Sequence, residues 1–318
     1  MALASCTVLS VLNAAEARAQ QSLSALAARL VSLSAVTGYE HSAIDTILQL
    51  LPQARRDRFG NARLVLGGGK ARRLLVCPLD EPGYVVGNLR EDGYLTLRRV
   101  PGQTTTPLFD QQIEGQRVTI QGTRRNVPGV VAVRSIHLTR GREPVGEAPF
   151  SVDDAYVDVG TDSRSESARL GIRVLAPVTL TKRVHVYGKD LLAGPMAGRR
   201  TACAAMVLAI RDATTRAKLV PPLTTAFVVE QELAQRGLAG LAASQTFDET
   251  VVLDGRPGTL GSVSRTTGSD TSSRNPNLGR ITQWSLPVRY GGTAVETVSL
   301  ADADSLRGAL TRWIGGDR

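Results

Sequence analysis

The chain has 318 residues, 42% hydrophobic and 21% charged, which suits one large or two moderate globular domains and excludes a membrane span, since no apolar run approaches ~20 residues. Its net charge of +9 and pI near 10.0 come from arginine pairs scattered along the sequence, with few aromatic residues near them to stack on bases. We therefore predict a solvated basic surface and exclude nucleic acid as a partner.

The first 20 residues carry an ambiguous targeting signal. Residues 1–15 are mostly small and apolar, and Ala17-Arg18-Ala19 resembles the small-x-small site at which signal peptides are cleaved. No Lys or Arg precedes the apolar stretch, which argues for the alternative of a cytoplasmic chain with an N-terminal extension. The balance favours an extracytoplasmic location, periplasmic or secreted.

Residues 21–85 predict helices followed by buried strands. Apolar residues recur at helical spacing from Gln21 to Leu51, with a break at Thr37-Gly38. The short apolar runs Leu64–Leu66 and Leu74–Cys77 are bounded by glycine-rich or charged turns, which is typical of strands in a buried sheet.

Residues 86–187 predict an inserted β-rich domain, because short β-type runs alternate there with turn signals such as Pro128-Gly129. One helix interrupts it, with Ser163 and Glu166 as a capping box and Gly171 as the C-terminal stop.

Residues 188–318 join residues 21–85 in one α/β domain. The predicted elements are a helix at Arg199–Ala213, a strand at Leu223–Val229, a helix at Ala239–Ser244, a strand at Val251–Leu253, a loop from Asp254 to Gly268 and a helix at Ser305–Ile314. The fold class is thus α/β, a mixed sheet flanked by helices with a β-rich insert.

Side chains that bind soft metals are scarce. The three cysteines form no CxxC pair, so their spacing signals neither a disulfide framework nor a thiolate zinc site. The histidines His41, His137 and His185 are interpreted as ordinary structural or surface residues.

The most informative stretch runs from Phe227 to Gly237, where an apolar strand ends in Glu230-Gln231-Glu232 before a helix start of small residues. Two adjacent carboxylates at this place suit a zinc hydrolase, in which the first Glu is the general base and the second binds metal. Here Gln231 stands first, and an amide cannot accept a proton at neutral pH.

Further motifs follow in order: Thr37–Glu40, Asp57–Asn61, Leu79–Val86, Tyr156–Ser163 and Pro287–Tyr290. Together with residues 227–237 they resemble the tetrahedral aminopeptidases, the glutamyl aminopeptidase/endoglucanase-like family of dinuclear zinc exopeptidases. The resemblance covers about Leu23 to Leu310. It implies a zinc-exopeptidase α/β domain with an inserted β domain.

The resemblance also implies that most metal ligands are lost. It places Pro78 and Gly292 where the family has zinc-binding histidines, Ala197 at the bridging aspartate and Gln231 at the general base. We therefore identify the chain as a degenerate member of the family.

Three carboxylates of the family's site remain in this chain. Glu232 and Asp254 are vestigial metal ligands, and Asp80 is the residue that would orient the first histidine. Two carboxylates without nitrogen or sulfur ligands cannot make a tight zinc site, so we expect no cofactor and at most a weakly held divalent ion.

We expect one pocket at this place, in which Arg199 or Arg200 neutralises the leftover carboxylates. Its predicted members are Asp80, Glu81, Arg199, Arg200, Gln231, Glu232 and Asp254.

The favoured function is a pseudoenzyme that binds peptides or a protein partner. Two alternatives are open. One is an active hydrolase with an altered or mononuclear metal site on Asp80, Glu232 and Asp254, and the other is a ligand-free structural or interaction protein. A homo-oligomer is compatible with the resemblance, although the shortened segment after Asp254 means that the family's shell-like assembly does not carry over.

Overall fold

The computed structural model describes residues 23–100, 107–132, 150–216, 220–267 and 275–316. The predicted leader peptide, His137 and Gly268 lie outside these residues. No helix in the described ranges is both long and apolar enough to cross a membrane.

The helices and strands predicted from the sequence are present in the predicted order, together with strands that were not predicted, such as β15 and β16. The helices are α1 (23–31), α2 (His41–Leu50), α3 (Pro107–Gln111), α4 (Arg164–Arg169), α5 (Ala197–Arg216), α6 (Arg236–Ser244) and α7 (Leu300–Gly315). The strands are β1 (Arg55–Arg56), β2 (Ala62–Leu66), β3 (Arg73–Pro78), β4 (Tyr84–Leu89), β5 (Leu95–Arg99), β6 (Arg117–Gln121), β7 (Asn126–Ala132), β8 (Tyr156–Asp158), β9 (Pro177–Leu180), β10 (His185–Tyr187), β11 (Leu191–Ala193), β12 (Leu223–Val228), β13 (Glu249–Pro257), β14 (Ser264–Thr267), β15 (Arg280–Arg289) and β16 (Thr297–Ser299).

The larger part of the molecule is a ten-stranded sheet in the order β1-β2-β12-β3-β13-β15-β16-β11-β10, with β14 paired to β15. The central pairs β12–β3, β3–β13 and β13–β15 are parallel and the outer pairs are antiparallel, so the sheet is mixed, as predicted.

Helices cover both faces of this sheet. Leu75 and Cys77 of β3 point into the core shared with α1, α2, α5 and α7, while Leu74 and Val76 point into a second core beneath α6. A strand buried on both faces reads as a continuous apolar run, which is why the sequence predicted β3. The predicted α/β class is confirmed.

The insert is a closed antiparallel barrel of six strands in the order β4-β5-β8-β7-β6-β9, running from Tyr84 to Leu180. Its interior is filled by its own apolar cluster. The β-rich segment predicted at 86–187 therefore corresponds to this barrel, except that β10 pairs with β11 in the large sheet.

Local signals explain where several elements begin and end. Ser163 caps α4, its Oγ accepting from Glu166 N, as predicted. Helix α7 begins at Leu300 rather than Ser305, because Ser299 Oγ accepts a hydrogen bond from Asp302 N and caps the helix earlier. The segment after Asp254 was predicted as a loop, but β13 continues to Pro257 and β14 pairs with β15.

The structure contains a disulfide that the cysteine spacing did not signal. Cys77 and Cys203 are bonded across 126 residues of sequence, with their Cα atoms 5.6 Å apart. Cys77 lies in a strand and Cys203 in a helix, so no spacing motif signals the pair.

Candidate functional site

A cleft of about 1000 Å³, a volume that includes solvent-open space at its mouth, lies between the barrel and the carboxyl ends of the central parallel strands. Ligands of open α/β sheets commonly bind at such strand ends. The barrel side and the sheet side both contribute apolar lining residues: Tyr84, Phe109, Ile113, Val178, Leu180, Pro195, Met196, Pro257 and Val288.

Arg199, in the first turn of α5, lies at the floor of this cleft between two carboxylates. Its Nε donates to Asp254 Oδ1 at 2.9 Å and its Nη1 to Glu232 Oε1 at 3.1 Å. Nη1 also donates to the backbone oxygen of Asp80 at 3.2 Å. The predicted neutralisation of the leftover carboxylates by an arginine is thus confirmed for Arg199.

These contacts keep Arg199 charged. Its side chain is 10% exposed, and burial alone would favour the neutral form. The carboxylates of Asp254, Asp80 and Glu232 outweigh that effect and raise the pKa of Arg199 above its ordinary value. The third nitrogen, Nη2, donates to no described residue, so its two N–H groups remain as donors.

Arg200, the next residue, lies in the interior on another side of α5. It is fully buried, and its Nη2 lies 3.9 Å from Glu81 Oε2. None of its guanidinium nitrogens has a hydrogen-bond partner among the described residues. Arg200 is therefore not a lining residue of the cleft, contrary to the prediction.

Glu81 connects the end of the barrel to the α/β domain through hydrogen bonds. It accepts hydrogen bonds from Lys182 Nζ, which also donates to Leu33 O, and from Ala35 N at 2.9 Å. Burial disfavours its charged form, but Lys182 and Arg200 outweigh burial and lower the pKa of Glu81. Burial in turn lowers the pKa of Lys182 to about 8, against the opposing effect of Glu81.

Asp80 lies beneath the cleft wall and is fully buried. Its Oδ2 accepts from Thr37 Oγ at 2.8 Å and from Glu232 N at 2.9 Å. Its Oδ1 has no partner among the described residues, and burial raises the pKa of the carboxyl group.

The remaining predicted positions are dispersed. Pro78 is the last residue of β3 and pairs in register with Val228. Gln231 does not line the cleft, and its buried Oε1 finds no partner in the described ranges. Ala197 packs into the main core, so the first side chain of α5 that enters the site is that of Arg199.

Glu296 also lines the cleft, although it was not predicted as a site residue. Its Oε1 accepts from Gly198 N at 2.8 Å and its Oε2 from Gly292 N at 3.0 Å, and burial raises its pKa. A carboxyl group at the start of α5 stabilises the free N–H groups of the first turn. The only sequence signal near Glu296 was the motif at Pro287–Tyr290, and that motif assigned no role to Glu296.

The start of α5 presses directly against β13. A Cβ atom at Gly198 would lie 2.4 Å from Val288 Cγ1 and 2.9 Å from Gly255 Cα, so only glycine fits there. In the described ranges, no three His, Cys, Asp or Glu side chains are grouped so that they could hold a metal ion.

A family model for the M42 glutamyl aminopeptidases matches residues 60–279. The chain belongs to this family. The "Putative aminopeptidase SgcX" of Escherichia coli is 28% identical over 235 residues, which cover 72% of this chain and 61% of SgcX. A lysyl aminopeptidase from Pyrococcus furiosus is 28% identical over 151 residues, 46% of this chain and 42% of that protein.

Solved structures agree on the fold of this M42 family member. The aminopeptidase APDkam598 of Desulfurococcus kamchatkensis superposes with a TM-score of 0.81 at 18% identity, covering 93% of this chain and 95% of that one. The TET1 peptidase of Pyrococcus horikoshii gives 0.79 at 19% identity over 90% and 97% of the two chains. The matched region spans about three fifths of the curated Escherichia coli relatives.

Glu40, next to the site, predicts a pH dependence of stability. Its Oε1 accepts from Gly38 N at 3.0 Å and Glu230 N at 2.9 Å, yet burial raises its pKa to about 7. Between the unfolded value and pH 7 the folded state holds a proton that the unfolded state lacks. Stability contributed by Glu40 is therefore present below pH ~4.5 and falls by about 1–3 kcal/mol as pH rises to 7.

The Glu40→Gln variant keeps the accepting oxygen and removes the titration. We expect it to gain stability relative to the wild type between pH 5 and pH 8 in urea denaturation. Glu114→Gln, at an exposed position, is the control and should give the same difference at both pH values. If the free energy of unfolding depended on pH in the same way for the wild type and Glu40→Gln, the pH dependence assigned to Glu40 would be contradicted.

Proposed function

We propose that this M42 family member is catalytically inactive and that its cleft binds peptides without hydrolysing them. The observation that carries the proposal is the position of Arg199, whose guanidinium donates to both Glu232 and Asp254. These are the two carboxylates that the family resemblance assigns to metal. The positively charged guanidinium group of Arg199 is thus bonded to the same two carboxylates that metal ions would need as ligands.

The residues at the site do not fit a dinuclear zinc centre. Pro78, Ala197 and Gly292 offer no side-chain lone pair, and the two remaining carboxylates are already bonded to Arg199. The unpartnered Oδ1 of Asp80 supports the same conclusion, because it faces no donor where the family would supply an imidazole. No metal-dependent step is therefore assigned to this chain.

The cleft has the features that peptide binding requires. Arg199 Nη2 is free to donate to a peptide carbonyl oxygen. The side chain of Asp254 is 24% exposed and lies beside it, so a ligand ammonium group can approach. The apolar walls accept a hydrophobic side chain, and such a mixture of apolar lining and few polar groups is typical of ligand sites.

The test combines metal analysis with calorimetry. Protein purified without chelator should hold far less than one zinc per chain, and short peptides with an apolar first residue should bind saturably. Arg199→Lys should weaken binding at least about tenfold, because an ammonium group cannot reproduce the fixed guanidinium geometry. Arg307→Lys is the matched control, since Arg307 bonds Asp212 through Nε at 2.7 Å between α5 and α7.

Near-stoichiometric zinc would instead support the alternative of an altered metal site. Absence of both zinc and peptide binding would support a ligand-free interaction protein. Either outcome would overturn the proposal.

We also propose that the chain forms a homo-oligomer. The Pyrococcus horikoshii TET1 peptidase can assemble into a tetrahedron or a large octahedral shell. In this chain the edge strand β10 is exposed and carries Val186 and Tyr187. Light scattering on purified protein tests this, and a monomer at micromolar concentration would rule it out.

We retain export as the proposed location. The Cys77–Cys203 bond supports it, because disulfides persist mainly in oxidising compartments. Cell fractionation together with the mass of the mature N-terminus is the measurement that decides between export and a cytoplasmic chain.

A further inference from the structure

The disulfide joins β3 to α5 directly behind the cleft floor. Cys77 precedes Pro78 at the end of β3, and Cys203 lies four residues after Arg199, about one helical turn along α5. Residues one turn apart share a helix face, so the bond anchors the turn that carries Arg199. Both cysteines are fully buried.

Polar contacts connect the elements at the cleft floor, in addition to the strand pairing and the shared apolar core. Arg199 connects α5 to Asp254 on β13 and to Glu232 after β12, and Asp80 connects the β3 end to Glu232 N. The disulfide adds a covalent link between α5 and β3. The positions that the resemblance assigns to metal ligands, 78, 197, 232 and 254, lie on or directly after these same four elements.

We propose that the Cys77–Cys203 disulfide forms in the native protein and positions Arg199 in the cleft. The disulfide is a covalent cross-link between β3 and α5, two of the elements that bound metal would otherwise connect. The integrity of the cleft then depends on an oxidising environment. This inference does not rest on peptide binding and holds for any ligand of the cleft, or for none.

The bond forms by thiol–disulfide exchange. The two thiols of Cys77 and Cys203 lose two protons and two electrons, and an external disulfide such as oxidised glutathione takes them up as two thiols. Because both sulfur atoms are buried, a reductant reaches the folded protein only after local opening. The cross-link is therefore constitutive rather than a rapid switch.

Thiol titration and hydrogen exchange test the proposal in the full chain. In the Cys6→Ser background, protein matured under oxidising conditions should show no free thiol when denatured and two after reduction. Reduction should speed amide exchange in residues 77–81 and 197–203 by about tenfold or more, while the β6–β7 hairpin of the barrel stays unchanged. The midpoint of thermal unfolding should fall by about 5–10 °C.

Cysteine variants separate the bond from the side chains. Cys77→Ala, Cys203→Ala and the double variant should all lower the midpoint of thermal unfolding by the same amount, because each removes the same disulfide. Cys6→Ser alone should leave that midpoint unchanged. Where these variants do not fold, reduction and reoxidation of wild-type protein supplies the same comparison. Free thiols at both positions after oxidative maturation would overturn the proposal. So would a formed bond whose reduction leaves exchange at 197–203 unaltered, because the disulfide would then not position Arg199.

Discussion

The purified chain is expected to release no measurable amino acid from aminoacyl-nitroanilides or short peptides, even with added zinc, cobalt or manganese. This expectation rests on the proposed function, in which the family resemblance places Gln231 at the general base, and losing such a base removes about 10²–10⁴-fold in rate. The resemblance also places Pro78, Ala197 and Gly292 at metal-ligand positions, and a metal lowers the pKa of its bound water only in a well-formed site.

The Gln231→Glu variant is the informative control for this assay. It places a carboxylate at residue 231, the position of the general base. We still expect the variant to be inactive, because Arg199 continues to bond Glu232 and Asp254. Robust turnover by the unmodified chain, abolished by Glu232→Ala, would contradict the assignment of an inactive site.

The second large effect is expected from Arg199→Met, which should lower the free energy of unfolding by about 3–5 kcal/mol. Removing the guanidinium takes away the cation that bonds the buried Glu232 and the part-buried Asp254, and loss of the charged partner of a buried carboxylate is costly. Urea denaturation measures the loss.

Arg307→Met is the matched control for that loss. Arg307 also bonds a carboxylate, that of Asp212, but both side chains are partly exposed, and we expect a loss of about 1 kcal/mol or less. If Arg199→Met and Arg307→Met lowered the free energy of unfolding equally, the bonds of Arg199 to Glu232 and Asp254 would contribute no more than a surface ion pair.

The order and type of the elements could be predicted because strands buried on both faces, such as β3, are continuous apolar runs, and caps such as Ser163 are local. The pairing of Arg199 or Arg200 with the carboxylates could also be predicted, since buried carboxylates require a cation. Whether Arg199 or Arg200 supplied it could not, because that depends on the rotation of α5 against β13.

Other features depend on contacts between distant segments. The Cys77–Cys203 bond needs the strand and helix to be docked before the two sulfur atoms meet, and no spacing records it. The barrel wall of the cleft, including Tyr84 and Phe109, likewise follows from how the insert folds back over the sheet.

The contact between Gly198 and Gly255 limits where a carboxylate could be introduced at the start of α5. A carboxylate at residue 198 would collide with Val288 and the β13 backbone, and at residue 197 it would lie in the apolar core. At residue 199 it would replace the guanidinium that bonds Glu232 and Asp254. A metal ligand engineered at any of these three positions would therefore disturb the packing or the charge balance of the cleft floor before it could bind an ion.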